Sequence, residues 1–280
     1  MTVGPFSQAG THVYTLSCSG VETASNSATL TVTSPGGGSS GGSSYGPARA
    51  GPRRQGRLGA MRYELLIFDW DGTLADSAGS IVSAMQRAIE ALGLPPREDA
   101  AIRELIGLGL SDALARLYPE LDTPDLLRLL EQYRHTAPAA LMHEAPLFPG
   151  ARETLETLHA QGYLLAVATG KSRPGMNRSL RAHPYLQDLL AASRCADETA
   201  PKPDPAMLRE LLDETGIAAE RALMVGDTEY DMAMATAIGM PALGVACGVH
   251  ASSRLRAAGA RSVIEDLRAL PAWLAAQGRR

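Results

Sequence analysis

The segment Phe68-Asp69-Trp70-Asp71-Gly72-Thr73-Leu74 places two carboxylates two residues apart, directly after the apolar run Leu65–Phe68. A short, continuous apolar run of this kind reads as a buried strand, and strand periodicity points Asp69 and Asp71 the same way. Such a pair can divide a group-transfer reaction between a nucleophile and a group that handles the leaving group's proton. Taken alone, Asp-Gly is also a common turn dipeptide, so partners elsewhere in the chain decide its meaning. Thr169-Gly170 closes a second apolar run, Tyr163–Ala168. A hydroxyl and backbone N–H groups at a strand end can hold phosphoryl oxygens there. Lys202 stands in Ala200-Pro201-Lys202-Pro203-Asp204-Pro205, a stiff segment suited to presenting a point charge to phosphate. Asp204 is expected to cap the following helix, with Pro205 in its first turn. Lys171, next to Gly170, competes with Lys202 for that role. Asp227 and Asp231 follow the run Ala222–Val225, and one helical turn would bring them together. Capping and first-turn roles along a helix dipole are the plainer alternative for that pair.

These residues need a frame that collects them. The apolar runs at 65–68, 163–168, 222–225 and 242–246 alternate with helical patterns. That alternation predicts an α/β fold, a Rossmann-like parallel sheet with helices on both faces. Between about Ser77 and Leu147 only helical patterns occur. Asp76 or Ser77 is expected to cap a helix carrying Ile81, Met85, Ala88, Ile89 and Leu92, which Gly93 and Pro95-Pro96 stop. A weaker pattern covers Glu98–Ile106, Ser111 is expected to cap a helix with Leu114 and Leu117, and Thr123-Pro124 to open another. The core domain is thus expected at 61–76 and 148–280, with a helical insert at 77–147. Upstream, residues 1–34 hold two alternating stretches resembling a hairpin of an immunoglobulin-like sandwich, and 35–60 has flexible-linker composition. Residues 61–280 are expected to suffice for activity.

Bulk properties narrow the function class. Residues 61–280 carry 22 basic against 29 acidic residues, a net charge of −7. A mildly acidic body lacks the basic footprint of nucleic-acid binding. No apolar run reaches the ~20 residues that span a bilayer. Cys18, Cys195 and Cys247 are far apart, and with no signal-peptide pattern a reduced cytoplasmic compartment is the expectation. The six histidines are scattered, which offers nothing to zinc and places them on surfaces or in polar junctions.

In order, Asp69–Leu74, Thr169-Gly170, Lys202-Pro203 and Gly226-Asp227-Thr228-Glu229-Tyr230-Asp231 resemble the four motifs of the haloacid dehalogenase-like hydrolases. The helical insert and Phe148-Pro149-Gly150 resemble the C1-capped branch of phosphoglycolate phosphatases and β-phosphoglucomutases. The resemblance implies a phosphatase with Asp69 as nucleophile and Asp71 as general acid and base. It gives Thr169, Gly170 and Lys202 to the phosphoryl group, reduces Lys171 to a solvated neighbour, and makes Arg134 a candidate for reaching substrate. Four converging carboxylates call for a cation, and all-oxygen donors suit Mg²⁺. The implied ligands are the Asp69 and Asp227 carboxylates and the Asp71 carbonyl, with Asp231 supporting through water. The partner is a small phosphorylated metabolite, and the enzyme a monomer or homodimer. Phosphoglycolate, a sugar phosphate, a nucleotide and pyrophosphate stay open as substrates. A sugar-phosphate mutase is the alternative activity. The dehalogenase branch is disfavoured by Asp71, and a non-enzymatic binding module by the intact motif set.

Overall fold

In a computed structural model, residues 62–140 and 145–278 are described, the side chains of 137–140 excepted. The hairpin and linker expected in 1–60 lie outside the described residues, as do Cys18, His12 and His143. The architecture is a six-stranded, wholly parallel sheet in the order β3-β2-β1-β4-β5-β6. The strands are β1 (Leu65–Phe68), β2 (Leu164–Thr169), β3 (Leu190–Cys195), β4 (Ala222–Gly226), β5 (Ala242–Val245) and β6 (Ser262–Ile264). The chain fills one side of β1 with β2 and β3, then crosses to the other side for β4 to β6. A crevice therefore opens beyond the C-terminal ends of β1 and β4, the place where such sheets bind ligands.

Strand alternation sorts the core into two layers. Leu66, Phe68, Leu165, Val167, Leu223 and Val225 pack on one face with α5 (Ala151–Gln161), α7 (Leu186–Leu189) and α11 (Leu270–Gln277). Leu65, Ile67, Ala166, Met224 and Ala242 pack on the other with α8 (Ala206–Thr215), α9 (Glu229–Thr236) and α10 (Ser252–Ala257). Between β2 and β3 lies α6 (Arg173–Ala182). Both faces are covered, which is why the central strands read as unbroken apolar runs. The sequence reading found four of these strands. The two it missed, β3 and β6, are the outermost. β3 is only partly buried and polar in part, and β6 is three residues long.

Four helices intervene between β1 and α5: α1 (Ala78–Ala91), α2 (Asp99–Arg103), α3 (Leu110–Leu117) and α4 (Thr123–Ala140). They bury a core of their own that includes Val82, Met85, Ile89, Leu114, Tyr118 and Leu129. The caps differ from expectation. Ser77 is the N-cap of α1, but its side chain makes no capping bond. Helix α3 starts behind Gly109 rather than Ser111. Before α4, the Asp122 carboxylate accepts from Asp125 N–H, so capping falls one residue ahead of Thr123. Helix α8 begins at Ala206, whose N–H donates to the Asp204 carboxylate across Pro205.

The two connections to this helical layer pair with each other. Asp76 N–H donates to Pro146 C=O and Phe148 N–H to Leu74 C=O, each at 2.9 Å. A second seam runs through Glu104. Its carbonyl accepts from Tyr230 Oη at 3.0 Å and from His250 Nε2 at 3.2 Å, while its carboxylate pairs with Arg254 at 2.6 Å. His250 Nδ1 accepts from Glu229 N–H, which assigns the ring proton to Nε2. No helix among the described residues is long and apolar enough to cross a membrane.

Candidate active site

The sheet gathers the predicted carboxylates by its connectivity. Asp69 continues β1, its N–H donating to Val225 C=O of β4. Asp227 follows β4, and Asp231 lies one turn into α9. All three are wholly buried, and one oxygen from each lies within 4.8 Å of the others. Lys202 is buried among them, its Nζ 2.7 Å from Asp69 Oδ1 and 2.6 Å from Asp231 Oδ1. Burial works against the ammonium, yet the Asp231 and Asp69 carboxylates together hold its pKa above the ordinary lysine value. One cation does not satisfy three anions. Burial, opposed by Lys202 and reinforced by Asp231 and Asp227, pushes Asp69 well above the usual carboxylate range. Burial and then the Asp231 charge push Asp227 up to about 7.

Local structure fixes each group. Thr228 caps α9 and Asp231 completes a reciprocal capping box: Asp231 N–H donates to Thr228 Oγ1, and Thr228 N–H donates to Asp231 Oδ2 at 3.1 Å. Both Asp231 oxygens are thereby engaged, one by Lys202 and one by Thr228. Asp227 Oδ1 accepts from Thr73 Oγ1 at 2.7 Å, and Oδ2 from Val249 N–H at 2.9 Å. A Cβ at Gly248 would overlap the Asp227 side chain, so that loop approaches only because it carries no side chain there. Gly72, at φ +85°, makes the same close approach from the β1 turn. In contrast, Asp69 Oδ1 meets Lys202 without hydrogen-bond alignment, and Oδ2 has no partner among the described residues. A buried, under-satisfied carboxylate beside two others is an all-oxygen donor set that fits a hard divalent cation.

Asp71 sits at the edge of this cluster and faces a cavity of about 660 Å³ between the helical layer and the sheet. Its Oδ1 accepts from Ser77 Oγ at 2.6 Å and lies 2.9 Å from Lys171 Nζ. Lys171 is therefore not a solvated neighbour: it is largely buried and paired with Asp71. The two carboxylates of the Asp-x-Asp pair thus have a lysine each. Thr169 is buried at the end of β2, where its Oγ1 accepts from Lys171 N–H at 3.1 Å. Gly170 lies beneath the helical layer. A Cβ there would stand 2.5 Å from Leu108 O and 2.6 Å from Gly107 O. Arg134 is exposed on α4 at the cavity.

Thr73, Ser77, Thr228 and Gly248 had no site role in the sequence reading. The Thr228-x-x-Asp231 spacing was a legible capping signal. Nothing local marks Gly248, which reaches Asp227 from the loop after β5.

The profile of the haloacid dehalogenase-like hydrolase family matches residues 66–245. The chain is similar to "Probable phosphatase IndB" of Dickeya dadantii (strain 3937), with 36% identity over 207 residues covering 72% of this chain and 89% of that protein. It is 35% identical over 219 residues to a phosphoglycolate phosphatase of Rhodospirillum rubrum, covering 75% and 90%. Among solved structures, a hydrolase from Pseudomonas syringae aligns with a TM-score of 0.70 and 28% identity, covering 76% of this chain and 98% of that one.

Proposed function

We propose that this chain, which belongs to the haloacid dehalogenase-like hydrolase family and is a phosphoric monoester hydrolase, cleaves small phosphomonoesters through a phosphorylated Asp69. The observation that carries the reading is Asp69 itself. It is wholly buried at the crevice where the strand order reverses, has one oxygen without a partner among the described residues, and is followed two residues later by an acid that opens on the cavity.

An Asp69 oxygen attacks phosphorus while the bond to the leaving oxygen breaks, and Asp71 supplies that oxygen with its proton. Asp71, now a carboxylate, takes a proton from water as the water attacks the aspartyl-phosphate. The P–O bond to Asp69 then breaks, giving inorganic phosphate and the free carboxylate. Lys202 orients Asp69 and offsets charge on the equatorial oxygens, and Thr169 Oγ1 has a proton to donate to them. Ser77 and Lys171 hold Asp71 in place between its two duties. Mg²⁺ fits the donor set, held by the Asp69 and Asp227 carboxylates and the Asp71 carbonyl. It would supply charge stabilisation to the transferring phosphoryl group. Asp231 contributes through its charge and through its ion pair with Lys202, and supports the ion through water. The helices of residues 77–147 act as a cap domain over the core formed by 61–76 and 148–280, shutting water out until the leaving group departs. The cytoplasm is the compartment that suits a soluble metabolite phosphatase.

Phosphate release from a panel of phosphorylated metabolites tests the reading, beside Asp69→Asn. The amide keeps the shape and removes the attacking anion, so turnover should drop by at least about 10³-fold with the fold retained. Substantial phosphate release by pure Asp69→Asn protein would overturn the nucleophile assignment. Isomerised sugar phosphate in place of inorganic phosphate would point to a mutase.

A further inference from the structure

The cavity beside Asp71 holds a cation that the chemistry at Asp69 does not use. Arg178 lies on α6 and lines the cavity. It is half-buried, and its guanidinium makes neither an ion pair nor a hydrogen bond with any other described residue. Most other arginines packed along the core have carboxylate partners: Arg173 with Glu198, Arg194 with Glu210 and Glu214, Arg254 with Glu104 and Glu229.

Its direction follows from helix geometry. Side chains on a helix lean toward the N-terminus, and the N-terminus of α6 follows the end of β2, where Thr169 stands. Arg178 indeed reaches back one turn: its Nη2 lies 3.9 Å from where a Cβ on Gly175 would stand. Gly175 and Ser172 line the cavity beside it. Tyr133, across on α4, also lines the cavity and feels both the Asp71 charge and the Arg178 charge at its phenol. The Asp71 carboxylate is already paired with Lys171, so it does not meet the need for an anion near Arg178. Much of the remaining wall is apolar, with Ile81, Leu108 and Leu110 among its residues.

We propose that Arg178, with the Tyr133 hydroxyl beside it, is the leaving-group subsite, and that it selects phosphomonoesters whose leaving group carries a second anionic group. A guanidinium with no ion-pair partner among the described residues, in a mostly apolar cavity, favours an anion delivered by substrate, because a charge-assisted bond there replaces only partial hydration. The inference rests on the phosphatase reading above and names the substrate class for the same site.

The test is a series of small esters of similar size: 2-phosphoglycolate (a carboxylate), ethane-1,2-diol bisphosphate (a second phosphoryl group), ethyl phosphate (neutral) and phosphoethanolamine (a cation). The measured quantity is each ester's kcat/KM relative to ethyl phosphate. The protein should favour at least one of the two anionic esters about tenfold or more, with phosphoethanolamine poorest, and the favoured arm tells carboxylate from phosphoryl. In Arg178→Gln that preference should fall about 10- to 100-fold, mostly through KM, the size expected for one charge-assisted hydrogen bond. Arg178→Lys should recover part of it. Melting curves on both variants separate this effect from misfolding. A preference that is absent in the parent, or unchanged in Arg178→Gln and Arg178→Lys, overturns the subsite. So does an equal loss on all four esters, which would place Arg178 on the transferring phosphoryl group. If the parent releases phosphate from no ester, the phosphatase reading fails instead.

Discussion

Replacing Lys202 with methionine isolates the electrostatic core of the site. The side chain is fully buried, and among the described residues its ammonium is the one cation within 3 Å of both Asp69 and Asp231. Methionine fills similar volume, so packing changes little and charge changes a great deal. Removing one partner of a buried pair typically costs about 3–5 kcal/mol, since the remaining charge is left without compensation. For a domain of this size, each kcal/mol moves the melting temperature by about 2–4 °C. The variant should therefore melt roughly 6–20 °C below the parent at pH 8 in EDTA. Asp69 and Asp227 already bind protons more readily than ordinary carboxylates, and loss of the ammonium strengthens that tendency. Protonation then relieves the excess charge, so the deficit should shrink at pH 5.5. Thermal unfolding followed by circular dichroism at the two pH values, with and without Mg²⁺, gives the comparison. A variant that melts within about 2 °C of the parent at pH 8 in EDTA, roughly a third of the lower bound above, or one with equal deficits at both pH values, would refute the account of a cation-starved cluster.

A carboxyl whose folded pKa exceeds its unfolded value of about 3.9 adds stability that is complete below that value and lost as pH rises through the folded one. With Asp227 near 7, the metal-free protein should lose stability between about pH 4 and 7. The Mg²⁺-induced rise in melting temperature should then be larger at pH 8 than at pH 5.5, reaching about 5–10 °C at a hundredfold excess over Kd; an equal rise at both would argue against the Asp227 assignment. Asp71→Asn should slow alkyl phosphates by about 10²-fold or more and p-nitrophenyl phosphate much less, as steady-state rates on the two esters would reveal. Gly248→Ala pushes a methyl group into the Asp227 carboxylate. It should cost about 1–3 kcal/mol and raise the Mg²⁺ concentration needed for half-maximal activity, and parent-like values of both would show that the loop yields.

The site residues legible in the sequence are those whose chemistry coincides with a strand end. Asp69, Thr169 and Asp227 each follow an apolar run that is buried on both faces, so pattern and position point to one spot. Lys202 was legible through the prolines around it. Lys171 was misread because a lysine one residue past a strand end looks like any solvated lysine, and only the fold brings Asp71 to its ammonium. Ser77 looked like a helix cap for a related reason: its hydroxyl is drawn 2.6 Å from Asp71 rather than to its own helix. The edge strands β3 and β6 escaped because an edge needs less apolar surface than a centre, and the alternation that marks a half-buried strand is weak over six residues and absent over three.

Glu104 bears on tempo. Its carbonyl and carboxylate tie the end of α2 to Tyr230, His250 and Arg254, while the Gly107–Leu108 carbonyls rest on Gly170. If the cap opens to release product, as the proposed function has it, such contacts would have to part and then re-form for each new substrate. Arg254 and the Glu104 carboxylate are open to solvent, so ions in the medium compete for them directly. If Asp69 is phosphorylated as proposed, the seam that shields it from water is also one whose parting would set how soon the next molecule can enter.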